Sequence, residues 1–289
     1  MNNSSFSLLH KDVHLRQFIR LALKEDIGSG DHTSISTIPA SAKNKAILII
    51  KENGILAGVE LAKFFFSKVD KSFKIKVYKN DGERIKKGDI AFIVEGNSRS
   101  ILRAERLVLN CMQRMSGIAT QTDKLVRLCK PYKVKLLDTR KTTPLLRGLE
   151  KWAVRIGGGH NHRFGLYDMI LIKNNHIDFA GGITNAIESA NTYLKNKKLN
   201  FKIEIEARNL KEVKEIMSIN KVSSILLDNF SISEIKKAIR LINKKFEIEI
   251  SGGINKKNIR KYASLGADYI SVGALTHSVK SLDMSLTAV

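Results

Sequence analysis

The sequence predicts an α/β fold with two parts, a small α/β sandwich followed by a parallel α/β barrel. Residues 46–96 contain short β-like runs separated by turns, with one helical stretch among them. After residue 130 the pattern changes, because apolar strand-like runs that end in a polar residue recur about every 20 to 35 residues, with helical stretches between them. Repeated βα units of this kind form a parallel sheet, either closed into a barrel or open.

Helices frame the short strands of the N-terminal part. Apolar residues at helical spacing predict helices over residues 15–23 and 59–69. A longer helix over residues 101–115 has an apolar stripe and a polar stripe, and the polar stripe carries Arg106. Gly117 marks the predicted junction with the second part. We therefore expect three segments: an N-terminal sandwich domain over 1–116, a barrel domain over 117–275, and a C-terminal tail over 276–289 that packs back on the N-terminal domain.

Polar residues stand at the ends of successive strands in the second part. In an α/β barrel the carboxyl ends of the strands carry the active site, so this pattern favours a barrel over an open sheet. The strand-ending residues are Arg140 with Lys141, Lys173, Glu206, Asp228, Ser251 and Gly273.

The composition is that of a globular chain. Its 289 residues are 43% hydrophobic and 27% charged, and its apolar runs are too short to span a bilayer. The start of the sequence has no basic region followed by an apolar one, so we expect no secretory signal. The two cysteines, Cys111 and Cys129, cannot form a disulfide framework and are expected to pack in the interior. These observations predict a cytoplasmic protein without a membrane partner.

The formal net charge of +22 has two interpretations. It indicates either an anionic partner or a lysine-rich solvated surface. No zinc-finger spacing or aromatic RNA-binding signature accompanies the charge, which argues against a nucleic-acid-binding function.

Five side chains that can carry positive charge follow strands or glycine turns. Arg140 and Lys141 follow one strand, Lys173 follows another, and His162 and Arg163 follow three consecutive glycines. Each alone is typical of a solvated surface cation. Together in one cleft they would repel one another unless an anion binds, and arginine matches a carboxylate or phosphate in two bonds. The set predicts an anion-binding cleft.

Glu206 and Asp228 end neighbouring strands and form the opposing acidic pair. Two such carboxylates suit Mg²⁺, which prefers oxygen ligands and often shares them with substrate phosphates. The alternative is that they form salt bridges with the cations of the cleft. Glu204 lies two residues earlier on the same strand face, one layer deeper, so Glu206 is preferred as the cleft residue.

Glycines follow the last two strands of the second part. Backbone N–H groups can approach an oxyanion closely there, with a helix N-terminus behind them, and barrels often bind phosphate at this place. The residues concerned are Ser251, Gly252, Gly253 and Gly273.

Other catalytic motifs find little support. His160 and His162 have the spacing of metal ligands, but the sequence offers no third strong ligand in a matching pattern. The sequence contains no G-x-S-x-G motif and no cysteine paired with a histidine.

The assembled motifs resemble the quinolinate phosphoribosyltransferase family, the nicotinate-nucleotide pyrophosphorylases among the type II phosphoribosyltransferases. The resemblance runs from "LKEDIGSGDHTS" at 23–34 to "GADYISVGALTHS" at 266–278. It is most specific in "LLDTRKTTP" at 136–144 and in the segment 149–177, which contains "GGGHNHR".

The resemblance implies a fold, an assembly and a reaction. The fold is an N-terminal α/β sandwich followed by an incomplete α/β barrel, and the assembly is a homodimer with a shared active site. The reaction transfers phosphoribosyl from 5-phosphoribosyl 1-diphosphate to quinolinate with decarboxylation, and Mg²⁺ is the implied cofactor. The products are nicotinate mononucleotide, diphosphate and CO₂.

The resemblance also implies a role for each matching residue. The two quinolinate carboxylates would meet Arg140, His162, Arg163 and Lys173, with Arg106 from the partner subunit. Lys141 would lie near the diphosphate, and Glu206 and Asp228 near the ribose and Mg²⁺. The 5-phosphate would meet Ser251, Gly252, Gly253 and Gly273. Lys141, Glu206 and Asp228 are the expected catalytic residues.

One position departs from the family pattern. The family usually has a glycine after "TTP", whereas this chain has Leu145, with Gly148 three residues later. Two other functions stay open from the sequence alone, a related type II phosphoribosyltransferase that acts on another ring and a basic nucleic-acid-binding protein.

Overall fold

The computed structural model describes residues 13–289, which divide into two compact units. The first unit contains the chain up to Asp123, the segment Thr143–Gly158 and the C-terminal segment Ser278–Val289. The second unit contains Lys124–Thr142 and Gly159–His277. An antiparallel sheet in the first unit and a parallel sheet in the second confirm the predicted α/β class.

The first unit is built on a four-stranded antiparallel sheet with strand order β12-β1-β5-β3, beside a two-stranded β2-β4 ladder. Its helices are α1 (Val13–Ile27), α2 (His32–Thr37), α3 (Val59–Val69), α4 (Ser98–Cys129) and α5 (Arg147–Ile156). Its strands are β1 (Lys43–Ile50), β2 (Gly54–Ile55), β3 (Lys74–Val77), β4 (Arg84–Ile85), β5 (Ile90–Asn97) and β12 (Met284–Ala288).

Aromatic side chains fill the core between α3 and the sheet. Phe64, Phe65 and Phe66 are fully buried, and the Phe66 ring meets the Phe92 ring edge to face at 6.0 Å between centroids. Such pairs add to the stability gained from burying apolar surface. The C-terminal strand β12 completes the sheet by pairing antiparallel with β1, from Ala46↔Ala288 to Ile50↔Met284.

Helix α4 runs without a break through the predicted junction. Gly117 lies inside the helix, where an added Cβ would overlap the carbonyl oxygen of Lys280. The glycine is therefore needed for the close approach of the C-terminal segment rather than for a chain break. The predicted domain boundary at residue 116 also differs from the compact units, which divide after Asp123 and place Thr143–Gly158 with the first unit.

The second unit contains six parallel strands in the order β6-β11-β10-β9-β8-β7. The strands are β6 (Lys135–Leu137), β7 (Ile170–Ile172), β8 (Ile203–Ala207), β9 (Ser224–Asp228), β10 (Glu247–Ser251) and β11 (Tyr269–Ser271). The helices are α6 (Asn174–Phe179), α7 (Ile183–Lys197), α8 (Leu210–Ile219), α9 (Ile232–Ile242), α10 (Ile259–Ala263) and α11 (Ala274–His277).

Strands β8 and β10 alternate isoleucine with glutamate, so their two faces differ in polarity. In β8, Ile203 and Ile205 alternate with Glu204 and Glu206, and all of them are buried. Buried residues on both faces mean that both faces are covered, as in a barrel with an outer layer of helices. The glutamates face the barrel interior, because His162 reaches Glu204 on β8 and Glu249 on β10 although β9 separates these strands.

The barrel is open between its edge strands. Strands β6 and β7 end the order, and no ladder joins them in the part of the chain that the structure describes. A single parallel bridge, Leu137↔His160, brings the "GGGHNHR" segment alongside β6. Within residues 13–289, no helix combines the length and apolar character needed to cross a bilayer.

Candidate active site

The parallel strands bring the strand-ending residues to one edge of the second unit. Lys173 directly follows β7, Glu206 lies near the end of β8, and Asp228 and Ser251 end β9 and β10. Arg140 and Lys141 follow β6 after two intervening residues. Because the carboxyl ends of parallel strands share an edge, these side chains form the mouth of the barrel.

Lys173 and Glu206 form an ion pair at this mouth. The Lys173 ammonium donates to Glu206 Oε1 at 2.7 Å, and the backbone N–H of Asn174 donates to Oε2 at 3.1 Å. The Glu206 side chain is buried, whereas half of the Lys173 side chain is exposed. The buried carboxylate therefore holds an accessible cation in place and compensates part of its charge.

Arg140 and Arg163 lie close enough to influence each other. Burial and then the charge of Arg140 lower the pKa of Arg163, while Asp168, Glu204 and Glu206 act in the opposite direction. The Arg163 guanidinium also donates to the carbonyl oxygen of Met169 at 3.2 Å. The structure thus places Arg140 and Arg163 of the predicted anion-binding cleft close to each other, with carboxylates nearby that offset their repulsion.

The ends of β9 and β10 are joined by short hydrogen bonds. The Ser251 hydroxyl donates to Asp228 Oδ1 at 2.6 Å, and the Asn229 N–H donates to the carbonyl oxygen of Ser251 at 3.0 Å. Gly252 has φ +99°, and an added Cβ would overlap the Asn229 side chain. A glycine is therefore required at this position.

Lys141 and Gly273 also meet in the structure. A Cβ at Gly273 would lie 2.9 Å from Cδ of Lys141, so the glycine makes room for the lysine side chain. The Thr276 hydroxyl donates to the carbonyl oxygen of Lys141 at 2.8 Å and fixes the backbone of this residue.

His162 points into the barrel, against two buried glutamates. Its Nε2 atom lies 3.1 Å from Glu204 Oε2 and 3.4 Å from Glu249 Oε2. Burial lowers the pKa of His162, but the hydrogen bonds and charges of the two carboxylates outweigh it and raise the pKa to about 9. Burial is also the main cause that raises the pKa of Glu204.

A second contact of His162 favours the opposite protonation state. The Arg163 N–H lies 2.7 Å from Nδ1, which can accept it only when that nitrogen carries no proton. The raised pKa of about 9 means that the ring is cationic at neutral pH, so the Arg163 N–H is a close contact of the ring rather than a hydrogen bond to it.

Asp138 holds the same segment from the other side. Its buried carboxylate accepts the backbone N–H of His162 at 2.9 Å and the side-chain amide of Asn161. The "GGGHNHR" segment is therefore fixed both by its backbone and by the His162 ring.

Sequence reasoning did not identify several of these residues. The sequence pattern did not indicate Asp138, Asn161 or Glu249 as site residues. It placed Glu204 one layer below Glu206, away from the cleft. A signal for the glutamates was present, because acidic residues alternate with isoleucines in strands that must be buried on both faces. Asp138 gave no such signal, since its partners are distant in sequence.

The loop after Lys141 is anchored within the first unit. Buried Glu150 accepts the backbone N–H of Thr143 at 3.1 Å and the Arg114 guanidinium at 2.9 Å. Leu145 has φ +65° and is 87% exposed. A left-handed backbone at this position explains why the family usually has glycine here.

Arg106 is exposed on α4 of the first unit. The predicted contact of Arg106 with a neighbouring active site requires a second subunit and stays a prediction.

An α/β barrel with cations, carboxylates and a glycine turn at the carboxyl edge is typical of enzymes that act on anionic, often phosphorylated substrates. Comparison with known proteins specifies the family. The C-terminal domain model of quinolinate phosphoribosyl transferase matches residues 118–287, and the N-terminal domain model matches residues 31–116. The chain belongs to the quinolinate phosphoribosyltransferase family.

Curated relatives and solved structures agree with this assignment. The chloroplastic nicotinate-nucleotide pyrophosphorylase [carboxylating] of Arabidopsis thaliana is 46% identical, over 96% of this chain and 83% of the relative. A probable enzyme of the same name from Methanocaldococcus jannaschii is 43% identical, over 96% of this chain and 98% of the relative. The crystal structure of NadC from Streptococcus pyogenes has a TM-score of 0.90 at 38% identity, covering 94% of this chain and 95% of that one.

The His162 environment predicts an unusual titration. We expect the ring to titrate near pH 9, against an ordinary value of 6.5, when its proton resonances are followed by NMR and assigned with a His162→Gln variant. Because the pKa is raised in the folded state, the associated stability is complete below pH 6.5. It disappears as the pH rises through about 9, and its size is on the order of 3 kcal/mol. A measured pKa below 6.5 would contradict this electrostatic description.

Proposed function

We propose that this chain transfers phosphoribosyl from 5-phosphoribosyl 1-diphosphate to quinolinate with decarboxylation, giving nicotinate mononucleotide, diphosphate and CO₂. The reaction is a step of NAD biosynthesis. The observation that carries the proposal is the cation cluster at the barrel mouth, where Arg140 and Arg163 lie together and Lys173 is held by buried Glu206. Membership of the family specifies the reaction that this cluster serves.

Quinolinate is a planar ring acid with two adjacent carboxylates. Arg140, Arg163 and Lys173 would bind these carboxylates, and Arg106 of a second subunit would complete this clamp. His162, expected from the sequence to join them, faces Glu204 and Glu249 in the barrel interior and would support Arg163 from behind. An arginine can make two parallel hydrogen bonds to a carboxylate, whereas a lysine supplies a compact charge. Two negative groups on one ring explain why several cations are gathered in one place.

The second substrate would occupy the neighbouring strand ends. Lys141, packed against Gly273, would face the diphosphate. The 5-phosphate would bind the backbone of Ser251, Gly252, Gly253 and Gly273. Gly252 and Gly253 have positive φ values, a conformation that glycine adopts readily, and neither residue carries a side chain of its own beside the peptide groups.

The acidic pair fits Mg²⁺ held largely through water and substrate oxygens. Both oxygens of Glu206 already accept protein donors, and Asp228 accepts from Ser251 and Asn229. Each carboxylate oxygen keeps a further lone pair, and Mg²⁺ commonly retains several waters. Glu206 and Asp228 would hold the ion, which when bound would neutralise diphosphate charge.

The protein residues would assist the reaction mainly by electrostatics and positioning. Departure of diphosphate from C1 leaves positive charge on the ribose, which Glu206 and Asp228 can stabilise. Lys141 would stabilise the departing anion. The clamp would hold the pyridine nitrogen against C1, so that the two reactants meet in one orientation. Once bonded, the cationic ring nitrogen stabilises the electron pair that stays on C2 when the adjacent carboxylate leaves as CO₂, and a proton from solvent then completes the C2–H bond of the product.

We further propose a homodimer with shared sites and a cytoplasmic location. The proposed dimer draws on Arg106, which is exposed on α4 and therefore accessible to a second subunit. Some plant relatives carry names that place them in chloroplasts or mitochondria, and those names describe the relatives alone.

The two alternative functions receive less support. Human nicotinic acid phosphoribosyltransferase shares the fold with a TM-score of 0.60 at 11% identity, which shows a common architecture and nothing about the substrate. A nucleic-acid-binding function would rest on the +22 net charge alone.

The first test is the choice of ring substrate. With 5-phosphoribosyl 1-diphosphate and Mg²⁺ present, we expect product from quinolinate and at least about 100-fold less from nicotinate, because nicotinate leaves half of the clamp without a partner. Product formation and CO₂ release are measured together. A preference for nicotinate, or salt-dependent nucleic-acid binding with no diphosphate release, would reject the proposal.

The second test removes single cations from the clamp. Arg140→Ala and Lys173→Ala should each lower kcat/KM for quinolinate by at least about 100-fold, because each removes a charged hydrogen-bond donor to a substrate carboxylate. Lys202→Ala is the matched control, since Lys202 forms an exposed ion pair with Glu247 before the start of β8. Near-normal turnover by a folded Arg140→Ala or Lys173→Ala protein would remove that residue from the clamp.

A further inference from the structure

Three buried carboxylates surround the segment that carries Arg163. Asp138, Glu204 and Glu249 are 0%, 3% and 2% exposed, and each contacts residue 161 or 162. Burying a carboxylate is costly, and replacing a whole buried ion pair by apolar residues of similar volume is often neutral or stabilising, so a buried carboxylate is weak evidence for a stabilising role. Stability therefore does not explain these residues, whereas a requirement for a fixed geometry does.

We propose that Glu204 and Glu249 are positioning residues that hold the His162 ring and thereby place Arg163 for quinolinate. The inference rests on the proposed function and deepens it, since it assigns to the barrel interior a role in substrate affinity. Neither glutamate is at the mouth of the barrel, where Glu206 contacts Lys173.

The geometry holds His162 from three strands. Glu204 on β8 and Glu249 on β10 lie 3.1 and 3.4 Å from the same ring nitrogen, Nε2. Asp138, which follows β6, accepts the backbone N–H of His162 at 2.9 Å. A residue bound through both its ring and its backbone has little freedom to move.

Arg163 takes its position from His162. The two residues are adjacent in the chain, so the held ring and backbone of His162 anchor the backbone of Arg163. Beyond this anchor, the Arg163 guanidinium donates to the backbone carbonyl oxygen of Met169 at 3.2 Å. Loss of the anchor would therefore displace the guanidinium, and small displacements of binding groups cost much affinity.

A metal ion is the competing explanation for the same three side chains. One ligand atom each from His162, Glu204 and Glu249 lies within 4.8 Å of the others. We favour direct hydrogen bonding because the 3.1 Å distance between Nε2 and Glu204 Oε2 is that of an N–H···O bond. Metal analysis of the purified protein separates the two explanations.

The experiment replaces each glutamate by an apolar residue and by its amide. Glu249→Leu and Glu204→Leu should raise KM for quinolinate about 10- to 100-fold and change KM for 5-phosphoribosyl 1-diphosphate less than about 3-fold. Their thermal midpoints should fall, because each variant removes one carboxylate partner of the buried His162 ring, so KM is measured on protein shown to be folded. Glu249→Gln, which keeps an acceptor oxygen for the ring, should retain a quinolinate KM within about 3-fold of the parent. Glu247→Leu is the control, because Glu247 shares the strand and face of Glu249 but bonds Lys202 and Tyr269 instead.

Several results would overturn the inference. An unchanged quinolinate KM in folded Leu variants would do so, as would an equal rise in the KM values for both substrates. The inference also fails if the parent protein contains one equivalent of bound metal and the Glu249→Leu protein does not. If the Leu variants do not fold, the parent protein still gives an answer, because the Nε2 proton of His162 should exchange slowly with solvent by NMR. Fast exchange would contradict the anchoring of His162 by the glutamates.

A parent protein that releases no CO₂ from quinolinate rejects the proposed function and this inference together, whereas an active parent with unaffected variants rejects the inference alone.

Discussion

The structure depends on carboxylates that lie beneath and between cations at the mouth of a parallel barrel. Arginine and lysine side chains that converge on one cleft repel one another, and in water they would spread apart. Here Glu206 binds Lys173 from a buried position, and Glu204 and Glu206 act on Arg163 against the charge of Arg140. Carboxylates in the low-dielectric interior exert more influence than they would at the surface. The cluster is therefore arranged before any substrate arrives.

The backbone contributes to the site as much as the charged groups do. Glycine at 252 permits the chain after β10 to pack against Asn229, and glycine at 273 makes room for Lys141. Asp138 ties the "GGGHNHR" segment to the end of β6, although the barrel sheet is open beside that strand. These contacts convert a set of loops into a fixed surface, which is what positioning two substrates requires.

Much of this organisation could be predicted from the sequence, and there are physical reasons why the rest could not. Strand-ending polar residues recur with the βα repeat, so the positions of Lys173, Glu206, Asp228 and Ser251 at one edge followed from the pattern. The partners of His162 did not follow, because Glu204 and Glu249 reach it across the barrel interior and the sequence specifies no such distance. Gly117 marks the predicted junction, yet helix α4 continues through it, because the close approach of Lys280 requires a residue without a side chain there.

The measurement that tests this account most directly is a crystal structure of the protein with quinolinate bound. The account predicts that the two ring carboxylates lie within hydrogen-bonding distance of Arg140, Arg163 and Lys173 at the carboxyl ends of the barrel strands. A ring bound elsewhere, or bound at this edge while those three side chains point apart into solvent, would contradict it.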